Sequence, residues 1–81
     1  MTLEELARGV IARVVAIDGP SEDVNAKLRE LGFSEGDEVE LITRGPLGGQ
    51  PLAVRLNRRI IALRSPEARA IRVEPIPIEH V

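Results

Sequence analysis

The sequence has no cysteine, no tryptophan and no tyrosine, and Phe33 is its one aromatic residue. Without cysteine there is neither a disulfide nor a thiolate metal centre, which fits a reducing compartment. Without aromatic pairs there is no stacking platform for single-stranded nucleic acid. His80 is the single histidine and stands next to the last residue, so no nucleophile–histidine–acid triad can be assembled. Ser21, Ser34 and Ser65 read instead as cap and turn residues. No apolar run approaches the ~20 residues that span a bilayer, and no basic stretch followed by an apolar run opens the chain. The expectation is a soluble, cytoplasmic protein with no membrane insertion.

The 81 residues are enough for one domain. A chain this short buries only about 60% of the surface it exposes when unfolded, so its margin of stability is thin. Net charge is −2, unevenly spread: residues 1–40 hold ten acids against four bases, residues 41–81 seven bases against three acids. The two halves either pair within one domain or leave a basic strand face for an acidic partner or a phosphate.

Hydrophobic period places the elements. Thr2 and Glu5 fit a capping box over a short turn that buries Leu3 and Leu6. Val10 to Ile17, rich in β-branched residues, predicts a strand. Ser21 is the N-cap of a helix over Glu22 to Leu31, with Val24, Leu28 and Leu31 on one stripe and Glu22 and Asp23 at the positive end of the dipole. Gly32 suits the left-handed position after the helix, and Phe33 then folds back on its last turn. Glu38 to Arg44 predicts a strand with Val39, Leu41 and Thr43 on one face and Glu38, Glu40, Ile42 and Arg44 on the other. Leu52 to Asn57 puts Leu52, Val54 and Leu56 inward, Asn57-Arg58 turns the chain, and Arg59 to Leu63 returns it. Ser65-Pro66 starts a helical turn, and Ala70 to Glu74 is the last strand. The tail from Pro75 to Val81 is expected to be extended, with Pro75 and Pro77 blocking ladder donation. The reading is mainly β: a small closed barrel of about five strands with one helix between strands 1 and 2. Closure would remove the exposed edges of such apolar strands.

Chemistry is sparse. Glu38 and Glu40 share a strand face and are expected to pair with Arg44 or Arg55 across strands. No intrinsic metal site or cofactor is expected; a metal shared between subunits through His80 is the form one would take. The loop Gly45-Pro46-Leu47-Gly48-Gly49-Gln50-Pro51 lacks the Lys-Ser/Thr of a P-loop and opens no helix. It is apolar where loops are usually polar. With Leu31 and Phe33 it either completes the core or borders a groove that receives an apolar segment of another protein.

Leu31-Gly32-Phe33, Gly36, Val39, Pro46-Leu47-Gly48, Ala62-Leu63-Arg64, Glu67-Ala68 and Ile71 with Val73 stand in an order and spacing that resembles the FeoA family, ferrous iron transport protein A. Leu3, Leu6, Gly9 and the strand through Val14 and Ile17 fit as well, so the resemblance covers about residues 2 to 74. It implies an SH3-like barrel and a non-enzymatic accessory of a FeoB-type transporter, contacting its cytosolic G-protein domain or another cytosolic segment. The module is also similar to the C-terminal domain of DtxR-type metal-dependent repressors, so the alternative is a stand-alone adaptor acting by peptide binding or self-association. The partner-binding residues expected are Leu31, Phe33, Pro46 and Leu47, with Arg44 and Arg55 at the rim. Nucleic acid is disfavoured by the acidic total. Three departures touch the contact loop: Gln50 stands as an extra residue, Gly45 replaces a common Ala, and Gly49 a frequent Asp.

Overall fold

The computed structural model describes residues 1–77. A 3-10 turn at Leu3–Glu5 opens the chain, and the Thr2 N–H donates to the Glu5 carboxylate at 2.8 Å. That bond holds the Glu5 carboxyl below its usual range. There follow β1 (Ile11–Ile17), α1 (Glu22–Glu30), β2 (Glu38–Gly45), β3 (Gly49–Leu56), β4 (Arg59–Leu63), α2 (Ser65–Arg69) and β5 (Ile71–Pro75). The five strands form one antiparallel sheet in the order β4-β3-β2-β1-β5. Mainly β architecture, five strands and a helix between the first two agree with the sequence.

Local signals explain most of these elements. Ser21 Oγ accepts from Val24 N–H at 3.3 Å and starts α1. At the other end Gly32 adopts φ +109°, Phe33 N–H donates to Leu28 O at 3.1 Å and Gly32 N–H to Arg29 O at 3.0 Å. This pair of bonds satisfies two carbonyls that the helix end leaves free, and it turns Phe33 back beside Leu28. In β3 the alternation holds, with Leu52, Val54 and Leu56 fully buried. All five strands, α1, α2 and the 3-10 turn contribute to one apolar core that contains no charged side chain among the described residues.

Two expectations change. β5 runs through Pro75, which sits opposite Ala12, and Ile76 N–H still donates to Ile11 O at 2.9 Å. Neighbouring residues of a strand turn their N–H groups to opposite edges, and Pro75 falls on the edge away from β1, so its missing N–H removes no bond from that ladder. The expected extended tail otherwise falls partly on residues 78–81, outside the described residues, and so does His80. Closure also differs: among the described residues no ladder joins β4 to β5, and α2 spans the gap. Two edges therefore remain. The β5 edge is covered by the N-terminus, where Val73 N–H donates to Met1 O at 2.9 Å and Thr2 bridges to Arg72.

Candidate functional site

The β2–β3 hairpin carries the apolar loop, and a β-bulge decides how it is aimed. Register shifts between Leu41↔Val54 and Thr43↔Ala53, which leaves Ile42 as the extra residue. Parity reverses beyond it. Arg44 pairs with the buried Leu52 instead of facing outward with Glu40. Its guanidinium Nη2 donates to Glu4 O at 2.6 Å and Leu6 O at 3.4 Å. Arg44, itself exposed, thus clasps β2 to the N-terminal turn and stands on the other face of the sheet from Arg55. A strict two-residue alternation cannot show this, because one inserted residue moves every later side chain to the other face.

The hairpin tip is fixed from both sides. Gly45 pairs with Gly49, and Leu47 and Gln50 exchange main-chain bonds of 3.4 and 3.3 Å. A Cβ at position 45 would collide with the Gln50 carbonyl, so the glycine at 45 and the extra residue at 50 are coupled features of this loop. The Gln50 side chain has a second job: its Oε1 accepts from Ser65 N–H at 3.0 Å and satisfies a first-turn donor of α2. Sequence reading missed this role, since residues fifteen apart give no local capping signal. On this anchored tip Pro46 is exposed and Leu47 is 80% exposed.

The other expected contact residues lie elsewhere. Phe33 is 1% exposed and belongs to the core, so the surface expected to include it does not. The physical reason is the helix-ending motif above, which directs the residue after Gly32 inward. Leu31 is half-buried against the core, and its carbonyl accepts from Arg59 Nη2 at 3.0 Å beside the β3–β4 turn. Leu47 stands at the opposite end of β3, which at ~3.3 Å per residue is a separation of about 23 Å along the strand. Leu31 and Leu47 therefore do not form one contact patch.

Arg55 does face outward, with Nε 3.7 Å from Glu40 Oε1, the cross-strand pair foreseen for β2 and β3. Register aligns it in a row with Ile11, Glu40 and Ile60 across four strands. A shallow cleft of about 370 Å³ lies along this row and reaches Asn57 and Arg58. The exposed Ile11 and Ile60 were not singled out in the sequence, although alternation of β4 against the buried Leu63 puts Ile60 near an outward position. Of the acids, Glu35 is held at a pKa of about 2 by the Arg29 guanidinium, which donates to both its oxygens at 3.0 Å. Glu67 is held below its usual range by Lys27 at 2.6 Å and by the Arg64 N–H. The Arg29–Glu35 pair is exposed, whereas the Glu67 carboxylate is largely covered beneath an exposed Lys27. No group of three or more His, Asp or Glu able to hold a metal ion occurs among the described residues.

Residues 1–75 match the FeoA domain family. This chain belongs to the FeoA family. Its fold is similar to that of Stenotrophomonas maltophilia FeoA in complex with zinc, described as an SH3 domain protein, at 38% identity and a TM-score of 0.80 over 91% of this chain and 89% of that one. It is similar to a FeoA-like protein of Clostridium acetobutylicum at 30% identity and a TM-score of 0.85, over 100% and 92% of the two chains. A manganese-dependent transcriptional repressor shares the fold at 20% identity and a TM-score of 0.83, over 94% of this chain and 41% of that longer one. No curated protein matches the chain. Family and neighbours associate this FeoA chain with ferrous iron transport, and no helix among its described residues is long and apolar enough to cross a membrane.

Proposed function

We propose that this FeoA chain is a non-enzymatic regulator of ferrous iron uptake that docks, in the cytoplasm, on a cytosolic segment of a FeoB-type transporter. The contact is the β2–β3 tip, with Leu47 as the anchor and Pro46 beside it. Arg55 flanks the outer sheet face. The observation that carries the reading is the combination of an 80% exposed Leu47 with a loop tied down at Gly45, Gln50 and Ser65. An apolar anchor held in place loses little conformational freedom on binding, and such residues dominate contact energies. The relative from Stenotrophomonas maltophilia is described in its own right as a candidate ferrous iron transport activating factor, which supports a regulatory role in that transport.

The test is an NMR titration of labelled protein with the soluble G-protein domain of the cognate transporter, in both nucleotide states. Shifts centred on Pro46–Gly49, lost in Leu47→Ser while the spectrum stays folded, are expected. Shifts that survive Leu47→Ser unchanged would reject the tip as the contact.

A further inference from the structure

The β4 edge is open, and its chemistry selects what can close it. Leu56 and Arg59 close a two-residue hairpin, so Arg59, Ile61 and Leu63 bond to β3. Ile60 and Ala62 then turn their N–H and C=O groups away from the sheet, and no main-chain bond from outside the β3–β4 ladder reaches either among the described residues. Ile60 is 63% exposed. Residues 51–66, which contain this edge, hold four arginines and no acid, whereas the rest of the chain is acidic. Arg59 is engaged with Leu31 O, which leaves Arg58 and Arg64 to flank the strand at its two ends. At the Arg64 end a cleft of about 520 Å³ opens between Ala62, Pro51 and Pro66, and the one acid on its wall, Glu67, is paired with Lys27.

We propose that β4 accepts an extended acidic segment of another protein as a sixth strand, bonded to the main chain of Ile60 and Ala62, with its acids beside Arg58 and Arg64 and an apolar residue on Ile60. This does not rest on the transport reading, because it uses neither Leu47 nor the hairpin tip. A second copy of this chain is the wrong occupant. Antiparallel pairing of two β4 strands about Ile61 would set Arg58 of each against Arg64 of the other, and like charges directly opposed repel. Nucleic acid would use the arginines but neither the unpaired main-chain groups nor Ile60, and it would find no aromatic surface for its bases, since Phe33 is buried.

The experiment uses the full chain, labelled with nitrogen-15, and the blocked peptide Glu-Thr-Val-Thr-Val-Thr-Glu, whose one face carries Glu at both ends and Val between to match Arg58, Ile60 and Arg64, with the same peptide bearing Lys for Glu as its counterpart. The Glu peptide is expected to bind about tenfold more tightly, the effect of a few surface ion pairs, and to slow amide exchange at Ile60 and Ala62. Ala62→Pro removes one outward N–H and is expected to abolish the slowing at Ile60. The double substitution Arg58→Glu with Arg64→Glu leaves the main chain intact and is expected to reverse the preference toward the Lys peptide. Four results would overturn the proposal. These are no slowing with the Glu peptide, equal slowing by both peptides, slowing by protein concentration alone (a second copy), or slowing by an oligothymidine strand.

Discussion

At the β5 edge of the sheet, Val73 donates to Met1 and Thr2 bridges to Arg72; at the β4 edge, the outward groups of Ile60 and Ala62 meet no such strand among the described residues. Both edges belong to short strands beside the same core, and both adjoin α2. They differ in what the chain can reach them with. Leu3 and Leu6 are buried on the β5 side and carry Met1–Thr2 onto that edge, so covering it is a by-product of filling the core. Among the described residues the β4 side has no comparable apolar segment, and its protection is electrostatic: arginine at both ends disfavours pairing with another copy. A small domain thus shields one edge by packing and the other by charge, and only the second can admit a partner without unfolding anything.

The contrast can be broken from the packed side. Leu3→Ala removes a fully buried side chain and is expected to cost about 2–5 kcal/mol, lowering the thermal midpoint. Amide exchange at Val73 should accelerate while Ile60 and Ala62 stay as they were. Equal acceleration on both edges would show that the N-terminal turn supports the whole sheet. A smaller effect is expected from Arg44→Ala, which removes the clasp on Glu4 O and Leu6 O and should cost about 1–2 kcal/mol in chemical denaturation. Arg55→Ala, at an exposed ion pair of 3.7 Å, should stay within about 0.5 kcal/mol. If the two arginines proved equivalent, the bulge at Ile42 would not matter for the N-terminus.

On the open side, Gln50→Ala deprives Ser65 N–H of its acceptor and should cost about 1 kcal/mol, as the loss of a helix cap does. The check is the Ser65 amide, which should shift and exchange faster; an unchanged amide would mean that Gln50 does not hold α2. The smallest effect tests a pair that touches neither edge. Glu35 has its pKa depressed from 4.5 to about 2 by Arg29, so the folded state binds fewer protons than the unfolded chain in that interval. The stabilisation is therefore complete above the ordinary carboxyl range and is lost as pH falls through 4.5 toward about 2. Arg29→Ala should return the Glu35 titration, followed by carboxyl carbon-13 shifts, toward the ordinary range, with both edges unchanged in exchange. A Glu35 titration that did not move would refute the pairing.

Much of this was legible in residues that act on near neighbours. Ser21, Gly32 and the stripe through Leu28 marked α1 at both ends, and Leu52, Val54 and Leu56 identified the buried face of β3. The order of FeoA-type residues from Leu3 to Val73 identified the family. The contact surface was less legible, for a physical reason visible in each of its residues. Phe33 was expected both to fold back on α1 and to border the contact, because the local motif turns it toward Leu28 but only the sheet beneath it closes over the ring. Arg44 looked outward because alternation was extended through a bulge that exists only in the pairing of β2 with β3. Leu31 and Leu47 looked like neighbours because sequence does not record which end of β3 each one meets.

The sequence by itself determined the element types, their order, the caps of α1 and the family, all of which follow from periodicity and from residues within a few positions of one another. The tertiary structure alone decided the parity of β2 beyond Ile42, the burial of Phe33, the anchoring of Gln50 on Ser65 and the covering of one sheet edge but not the other. Those outcomes depend on contacts between segments distant in the chain, and a contact of that kind exists only once the core has brought the segments together.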